Sequence, residues 1–234
     1  MGTEIVNPIR HLSVFDPDAF GERRVDVIGA GATGSRVVLS LAKLGARNLH
    51  VWDFDSVESH NIANQAFSMS HIGMPKTQAL AQVVETGTGL TITVHEEKVD
   101  GTQSLGDVVF LLTDTMASRK EIWEKGLKLK PRTQLLIETR MGAAEGRVYS
   151  LSPSRRQHIS EYEQTFYSDA VAETSACGAS VSVGPTAEFL SGLAVWQFLK
   201  WYKFDQAGEG DPPEFESIFG LTPMLFFCDR SLPW

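Results

Sequence analysis

The sequence predicts an α/β chain: a doubly wound, mostly parallel sheet with helices on both faces and C-terminal strands that extend it. Three observations carry this expectation. The first is a glycine-rich turn, Gly29-Ala-Gly31-Ala-Thr-Gly34. It follows the β-branched run Val25-Asp-Val27-Ile28 and precedes Val37, Val38, Leu41 and Leu44 at helical spacing. The second is the acidic end of the next apolar segment, Trp52-Asp53-Phe54-Asp55. It lies about twenty residues beyond the turn, the spacing of a nucleotide-binding βαβ unit of Rossmann type. The third is the continued alternation of short apolar runs with amphipathic stretches as far as Ile137, which is how parallel strands joined by crossover helices read.

Taken in order, residues 1–24 form a polar lead-in with the apolar anchors Ile9, Leu12, Val14 and Phe15, read as an arm or short helix packed on the core. Val25–Ile28 is the first strand, Gly34–Leu44 the first helix, stopped by Gly45, and Leu49–Trp52 the second strand. Pro75 opens a helix over Thr77–Val84, where its missing N–H costs nothing. Leu90–Val94 alternates as a strand, and Val108–Leu112 is a continuous apolar run suited to a strand covered on both faces. Met116–Leu129 reads as a helix closed by Pro131, followed by a buried strand at Leu135–Ile137. Gly146–Leu151 is a further strand. Ser152–Ala179 is polar, small-residue-rich and aperiodic, a long segment of the kind that is usually functional. Thr186–Tyr202 is a helix apolar on nearly every side, placed either in the core or at an oligomer interface. An acidic Gly/Pro loop over Asp205–Glu216 leads to a final strand at Leu221–Cys228.

The composition narrows the function. The chain has 234 residues with 42% hydrophobic residues, enough for one sizeable core. We expect a single domain over 1–234, with an arm at 1–24, a nucleotide-binding core at 25–140, and a crossover loop, helix and C-terminal strands at 141–234. A net charge of −8 argues against a surface that holds nucleic acid by neutralising phosphates. The two cysteines, Cys177 and Cys228, are too few for a disulfide framework and fit a reducing compartment. No basic region followed by an apolar core opens the chain, and Val6 stands where a myristoylation motif wants Ser or Thr. The most apolar stretch, Phe189–Tyr202, is interrupted by Ser191, Gln197 and Lys200 and is too short to span a bilayer. The expectation is a soluble cytoplasmic protein without a membrane partner.

Carboxylates and amides gather where the strands end. Asp53 and Asp55 are followed by Asn61, Asn64 and Gln65, then by Gly73-Met-Pro-Lys76 at a helix start, then by Thr113-Asp114 after the fourth strand. In open α/β sheets such ends are where ligands bind. Gly29 permits the tight turn, Gly31 lets phosphate approach the backbone, and Gly34 allows helix to pack on strand. Lys76 at a helix N-terminus suits a triphosphate, and Asp114 suits magnesium, which takes one or two carboxylates together with phosphate oxygens and water.

This series of motifs resembles the ThiF/MoeB superfamily, relatives of ubiquitin-activating enzymes, over residues 25–140. Members carry Gly-x-Gly-x-x-Gly, then Asp-x-Asp-x-Val, then Asn-Leu-x-Arg-Gln, then Gly-x-x-Lys, then Thr-Asp-Asn. The matches here are Gly29/Gly31/Gly34, Asp53-Phe-Asp55-Ser-Val57, Asn61, Gln65, Gly73-Met-Pro-Lys76 and Thr113-Asp114. The resemblance implies ATP and magnesium as cofactors, with adenylation of the C-terminal glycine carboxylate of a small ubiquitin-like or sulfur-carrier-like protein and release of pyrophosphate. It implies Asp55 on the ribose, Asn61 and Lys76 on the phosphates and Asp114 on the metal, with Asp53, Asn64, Gln65 and Thr113 lining the same site. Arg119 falls where the family has a basic residue. Arg10 corresponds to an N-terminal arginine that family homodimers extend to the partner's nucleotide; a solvated charge is the alternative. Cys177 falls where relatives carry a cysteine that attacks the adenylate, with a small packed residue as the alternative reading.

The departures are equally specific. Asn64 and Thr115 stand where the family has Arg and Asn, and the family's two Cys-x-x-Cys pairs are absent, so no zinc is expected. A nucleotide-binding scaffold without turnover is therefore a second reading. An NAD-dependent oxidoreductase is a third, and a tRNA-modifying relative within the superfamily a fourth. Elsewhere, Cys228 is expected in the core, and Trp196, Phe198, Trp201 and Tyr202 as packing. His60 and His71 are read as solvated loop residues, and Arg155-Arg156-Gln-His158 as a solvated basic face.

Overall fold

The computed structural model describes residues 5–169, 182–208, 210–229 and 232–234. Strands β1 (Val25–Ile28), β2 (Leu49–Trp52), β3 (Thr93–His95), β4 (Val108–Leu111) and β5 (Leu135–Met141) run parallel in the order β3-β2-β1-β4-β5. Every residue of β1 and β4 is buried, as continuous apolar runs covered on both faces must be. The chain then turns back on itself through β6 (Glu145–Leu151), β7 (Glu216–Leu221) and β8 (Met224–Asp229), an antiparallel meander that completes an eight-stranded sheet. Growth away from β1 reverses direction between β1 and β4. There the connections leave to opposite sides and open a crevice at the carboxyl ends of the strands.

Helices α2 (Ala32–Leu44), α3 (Lys76–Thr88) and α6 (Gly184–Ala207) pack with α1 (Pro17–Phe20) on one face, around Val27, Leu41, Leu80, Phe110 and Phe198. The other face holds α4 (Met116–Ile122), the π turn Trp123–Leu127 that continues it, and α5 (Arg156–Gln164), around Trp123, Tyr149 and Tyr162. The N-terminal arm packs on the first core. Asp16 caps α1 by accepting from the N–H groups of Asp18 and Ala19, and Phe15 and Phe20 meet the rings of Phe198 and Tyr202. Each such ring contributes roughly 2 kcal/mol by leaving water.

Several elements differ from the sequence expectation. α2 begins two residues early, because Gly31 rather than Thr33 takes the N-cap position. β3 pairs with β2 at 93–95 rather than over Leu90–Val94, since Leu90 and Ile92 serve as anchors on the core just after α3 ends at Gly89. The segment expected to be irregular from Ser152 contains α5, whose buried His158, Ile159 and Tyr162 supply a narrow apolar stripe. The expected final strand, Leu221–Cys228, corresponds to β8, and a further strand, β7, precedes it and pairs with it through a tight turn at Thr222-Pro223. Cys228 is consequently half-buried on an edge strand, its Sγ 3.7 Å from Ser217 Oγ, and not in the core. Phe198, Trp201 and Tyr202 pack as expected, whereas Trp196 is exposed. His158, read as part of a solvated basic run, is buried beside exposed Arg155 and Arg156.

Candidate functional site

Two of the three glycines are dictated by packing at the reversal point. Gly29 sits at φ +100, and a Cβ on it would lie 2.7 Å from the Leu112 carbonyl oxygen at the end of β4. A Cβ on Gly34 would lie 1.8 Å from the Gly29 carbonyl oxygen. Gly31 is different: a Cβ there would meet nothing within 4 Å, because the backbone borders open space. Gly31 is also the N-cap of α2 and no side chain caps the helix, so its first N–H groups have no side-chain acceptor. Asp53 braces this turn from β2, accepting from Ala30 N–H at 2.7 Å and Asp55 N–H at 2.8 Å. Burial lifts the Asp53 carboxyl above its ordinary range, against the opposing pull of Lys76 and those two donors.

Around this turn a cavity of about 1290 Å³ opens. Gly29, Gly31, Asp53, Asp55, Asn61, Asn64, Gln65, Lys76, Thr113 and Asp114 all line it, so the structure gathers these sequence-predicted residues into one place. Lys76 starts α3, and its buried stem carries the ammonium to 2.8 Å from Asp55 Oδ2. The Lys76 N–H also donates to the Asp55 carbonyl, fixing the pair's geometry at both main chain and side chain. Asn61 closes the short 3-10 turn Ser59–Ala63, its Oδ1 accepting from Glu58 N–H. Asp114 is exposed on the opposite lip, just before Thr115 caps α4.

The far wall is cationic and was only partly legible. Glu138 is fully buried, with Arg119 Nε at 3.0 Å and Arg140 Nη2 at 2.8 Å, so one carboxylate faces two guanidinium groups. Arg119 donates to the carbonyls of Thr113 and Thr139, tying this wall to the Asp114 strand end. Burial opposes the charge on Arg140, but Glu138's charge and hydrogen bonds outweigh it and hold the guanidinium's pKa above its usual value. Arg147 lies directly across from Arg140 in the β5–β6 ladder and pairs with Glu216 at 3.1 Å. Tyr149, under the Arg140 guanidinium, is pushed up to about 12, chiefly by burial. The alternation Glu138-Thr-Arg140 inside a buried strand is the signal that marks this wall: charges two apart share one face.

Other expected residues stand apart. Arg10 is exposed on the arm and is not among the cavity-lining residues. Gly34 is the third residue of α2, behind the lining. Cys177 falls outside the described residues. His60 is exposed but lines the cavity rim, whereas His71 accepts from Ser68 N–H within its own turn. Asn64, which replaces the family arginine, gives its amide to the Ser182 carbonyl at 3.2 Å, and its own carbonyl accepts from Arg36. A guanidinium is thus present behind position 64, supplied by α2 and also paired with Glu188.

The residues fit a nucleotide with magnesium. Gly31 leaves a cradle that a Cβ would narrow, and Asn64 Oδ1, Gln65 Oε1 and Thr113 Oγ1 are buried at this site with no hydrogen-bond partner. Among the described residues no three His, Cys, Asp or Glu side chains gather to hold a metal by themselves; a magnesium ion held here would take part of its ligand set from phosphate oxygens and water. Among the described residues no helix is long and apolar enough to cross a membrane.

Fold and cleft together define a Rossmann-like α/β protein whose crevice opens at the reversal of strand order. The chain belongs to the ThiF family, whose profile matches residues 10–217. It is 32% identical over 130 residues to the NEDD8-activating enzyme E1 catalytic subunit of Arabidopsis thaliana, covering 49% of this chain and 29% of that one. It is 27% identical over 128 residues to the probable adenylyltransferase/sulfurtransferase MoeZ of Mycobacterium tuberculosis, covering 50% and 33%. The chain therefore matches about a third of the length of these relatives. Among solved structures, MccB of E. coli superposes with a TM-score of 0.70 at 14% identity, over 91% of this chain and 63% of that one. PaaA does so at 0.68 and 15%, over 93% and 67%. At such identities the likeness is one of fold.

Proposed function

We propose that the cleft binds ATP with magnesium and that the protein adenylates the C-terminal carboxylate of a small ubiquitin-like or sulfur-carrier-like protein. The observation that carries this reading is the Gly31 cradle at the uncapped start of α2, with the Lys76–Asp55 pair on one side and Asp114 on the other. An acceptor carboxylate oxygen bonds to the α-phosphorus, the bond from that phosphorus to the bridging oxygen of the β-phosphate breaks, and pyrophosphate leaves. The carboxylate is already anionic, so no base is needed; the work is orientation and charge neutralisation. Asp55 accepts from the ribose, while Lys76, Asn61 and the α2 N–H groups hold phosphate oxygens. Magnesium, which Asp114 would help hold, supplies further neutralisation of the phosphates. Arg119, beside Thr113, adds fixed positive charge to the wall facing the leaving group.

The test is ATP–pyrophosphate exchange with a candidate acceptor. Exchange is expected to require the acceptor's C-terminal residue, and Lys76→Ala is expected to lower its rate about 100-fold or more. ATP binding without exchange for any acceptor would overturn adenylation and favour the scaffold reading, which Asn64 motivates. Cys177, as the proposed nucleophile, is separated by Cys177→Ala: exchange persists while any thioester is lost. Assembly as a homodimer, with Arg10 extended to the neighbouring nucleotide, completes this reading.

A further inference from the structure

Arg36 has no task in the chemistry proposed above. It stands in the second turn of α2, where a long side chain leans back toward the helix start. Its Nη1 donates to the Ala32 carbonyl at 3.0 Å and to the Asn64 carbonyl, and its Nη2 lies 3.2 Å from Glu188 Oε1. The guanidinium therefore sits one layer behind Ala32, Thr33 and Asn64, all three of which line the cavity. Three elements meet on it: α2, the turn Ser59–Ala63 that ends at Asn64, and the start of α6. The fit is close, since a Cβ on Gly184 would come within 3.2 Å of the Ala63 carbonyl oxygen and 3.9 Å of Arg36 Nη2.

We propose that Arg36 is a positioning residue of the nucleotide site: it holds the turn carrying Asn61 and Asn64 against α2 and supplies, from behind that turn, positive charge to the outer phosphates of the bound nucleotide. The inference rests on the nucleotide part of the proposed reading and not on adenylation. Charge balance sets Arg36 apart from its neighbours. Lys76 and Arg147 face Asp55 and Glu216, which line the same cavity, and Arg119 and Arg140 share the fully buried Glu138. The counter-ion of Arg36 lies on the outer side instead: Glu188 is 67% exposed and does not line the cavity, whereas the Arg36 side chain is 17% exposed. A well-hydrated carboxylate compensates a mostly buried guanidinium only in part, so positive potential is left on the cavity side. Asn64 does not provide it. Its Nδ2 is held by the Ser182 carbonyl at 3.2 Å, and its Oδ1, buried without a partner, is an acceptor as phosphate oxygens are. Attraction for phosphate at this wall therefore comes from the guanidinium, whose bond to the Asn64 carbonyl also fixes the wall in place.

Calorimetric titration of the full chain with magnesium–ATP and with AMP is the experiment. Arg36→Met is expected to weaken ATP about 10-fold and AMP, which lacks the outer phosphates, less than about 2-fold. Arg36→Lys, which keeps the charge, is expected to hold ATP within about 3-fold of the unaltered chain. Glu188→Gln separates charge from bracing at an exposed position, and decides the matter even where Arg36→Met fails to fold by circular dichroism. Removing the counter-ion is expected to tighten ATP about 2-fold, whereas a residue that only braces the turn would lose grip and loosen it. Weaker ATP binding in Glu188→Gln, equal losses of ATP and AMP in Arg36→Met, or no loss in Arg36→Met would each overturn this inference alone. An unaltered chain that binds no ATP would overturn the nucleotide reading and the inference with it, and ATP binding without pyrophosphate exchange would overturn adenylation while these affinities still decide the role of Arg36.

Discussion

Glu138 has no exposure, and two guanidinium groups depend on it. Removing its charge leaves Arg119 and Arg140 buried without a counter-ion, and breaking a buried pair by deleting one partner costs about 3–5 kcal/mol. Glu138→Gln is therefore expected to lower the unfolding free energy by that amount, read as a fall in the urea midpoint at unchanged slope; a loss under ~1 kcal/mol would mean that water entering the cleft screens the cluster. His158 makes a pH-dependent contribution. Its Nδ1 accepts from Ser152 N–H and its Nε2 faces the Pro233 carbonyl at 3.0 Å, an arrangement that suits the neutral ring. Burial lowers its pKa from 6.5 to about 4. The folded value lies below the unfolded one, so the unfolded chain binds the extra proton between them: this stability is complete above pH 6.5, falls as pH drops, and levels off below pH 4. Between pH 7 and pH 5 the loss is about 2 kcal/mol, and His50 and His95, both shifted down chiefly by burial, act in the same direction. Urea titrations at the two pH values check this, and His158→Gln should remove the larger part of the difference.

At the scale of elements, the glycine turn separates folding from binding. Gly34→Ala places a methyl 1.8 Å from a backbone oxygen, which no rotamer can relieve, and is expected to cost at least ~3 kcal/mol. Gly31→Val projects into open space at a negative φ. It should leave the thermal midpoint nearly unchanged while weakening ATP binding at least ~10-fold, as read by calorimetry. Equal losses of stability in both variants would mean that Gly31 is a packing residue too. The turn was legible because packing and ligand approach both demand small residues at fixed offsets. β1, β2 and β4 were legible because burial on both faces forces apolar runs. α5 was not, since Arg156-Gln-His-Ile-Ser-Glu-Tyr-Glu-Gln buries only three side chains, one of them a histidine. The Glu138 cluster was missed for a related reason: the strand was read as ending at Ile137, so Glu138 and Arg140 were not seen as charges on one face of it, and Arg119 joins them from α4. β7 was missed because only Ser217 and Phe219 of its six residues are buried, too short an alternation to stand out beside the acidic loop before it.

For the whole molecule, a net charge of −8 opposes a polyanionic ligand at long range, so binding must come from local groups that outweigh it. Lys76, Arg119, Arg140 and Arg147 line one cavity with the start of α2, and cations at close range in a partly dry cleft act far more strongly than screened charges on the outer surface. This distribution discriminates between nucleotides. In the proposed reading, ATP presents its outer phosphates to Lys76 and, with magnesium, to Asp114. NAD can use the glycine turn but offers those two residues nothing. A ligand that binds only the folded chain at a hundred times its dissociation constant adds about 2.7 kcal/mol, which for a chain of this size raises the thermal midpoint by roughly 5–10 °C. ATP with magnesium is expected to produce that shift and NAD little or none, and Lys76→Ala should shrink the ATP shift toward the NAD value. A shift from NAD as large as that from ATP, unaffected by Lys76→Ala, would return the cleft to the oxidoreductase reading, because the residues that distinguish a triphosphate site would then be silent.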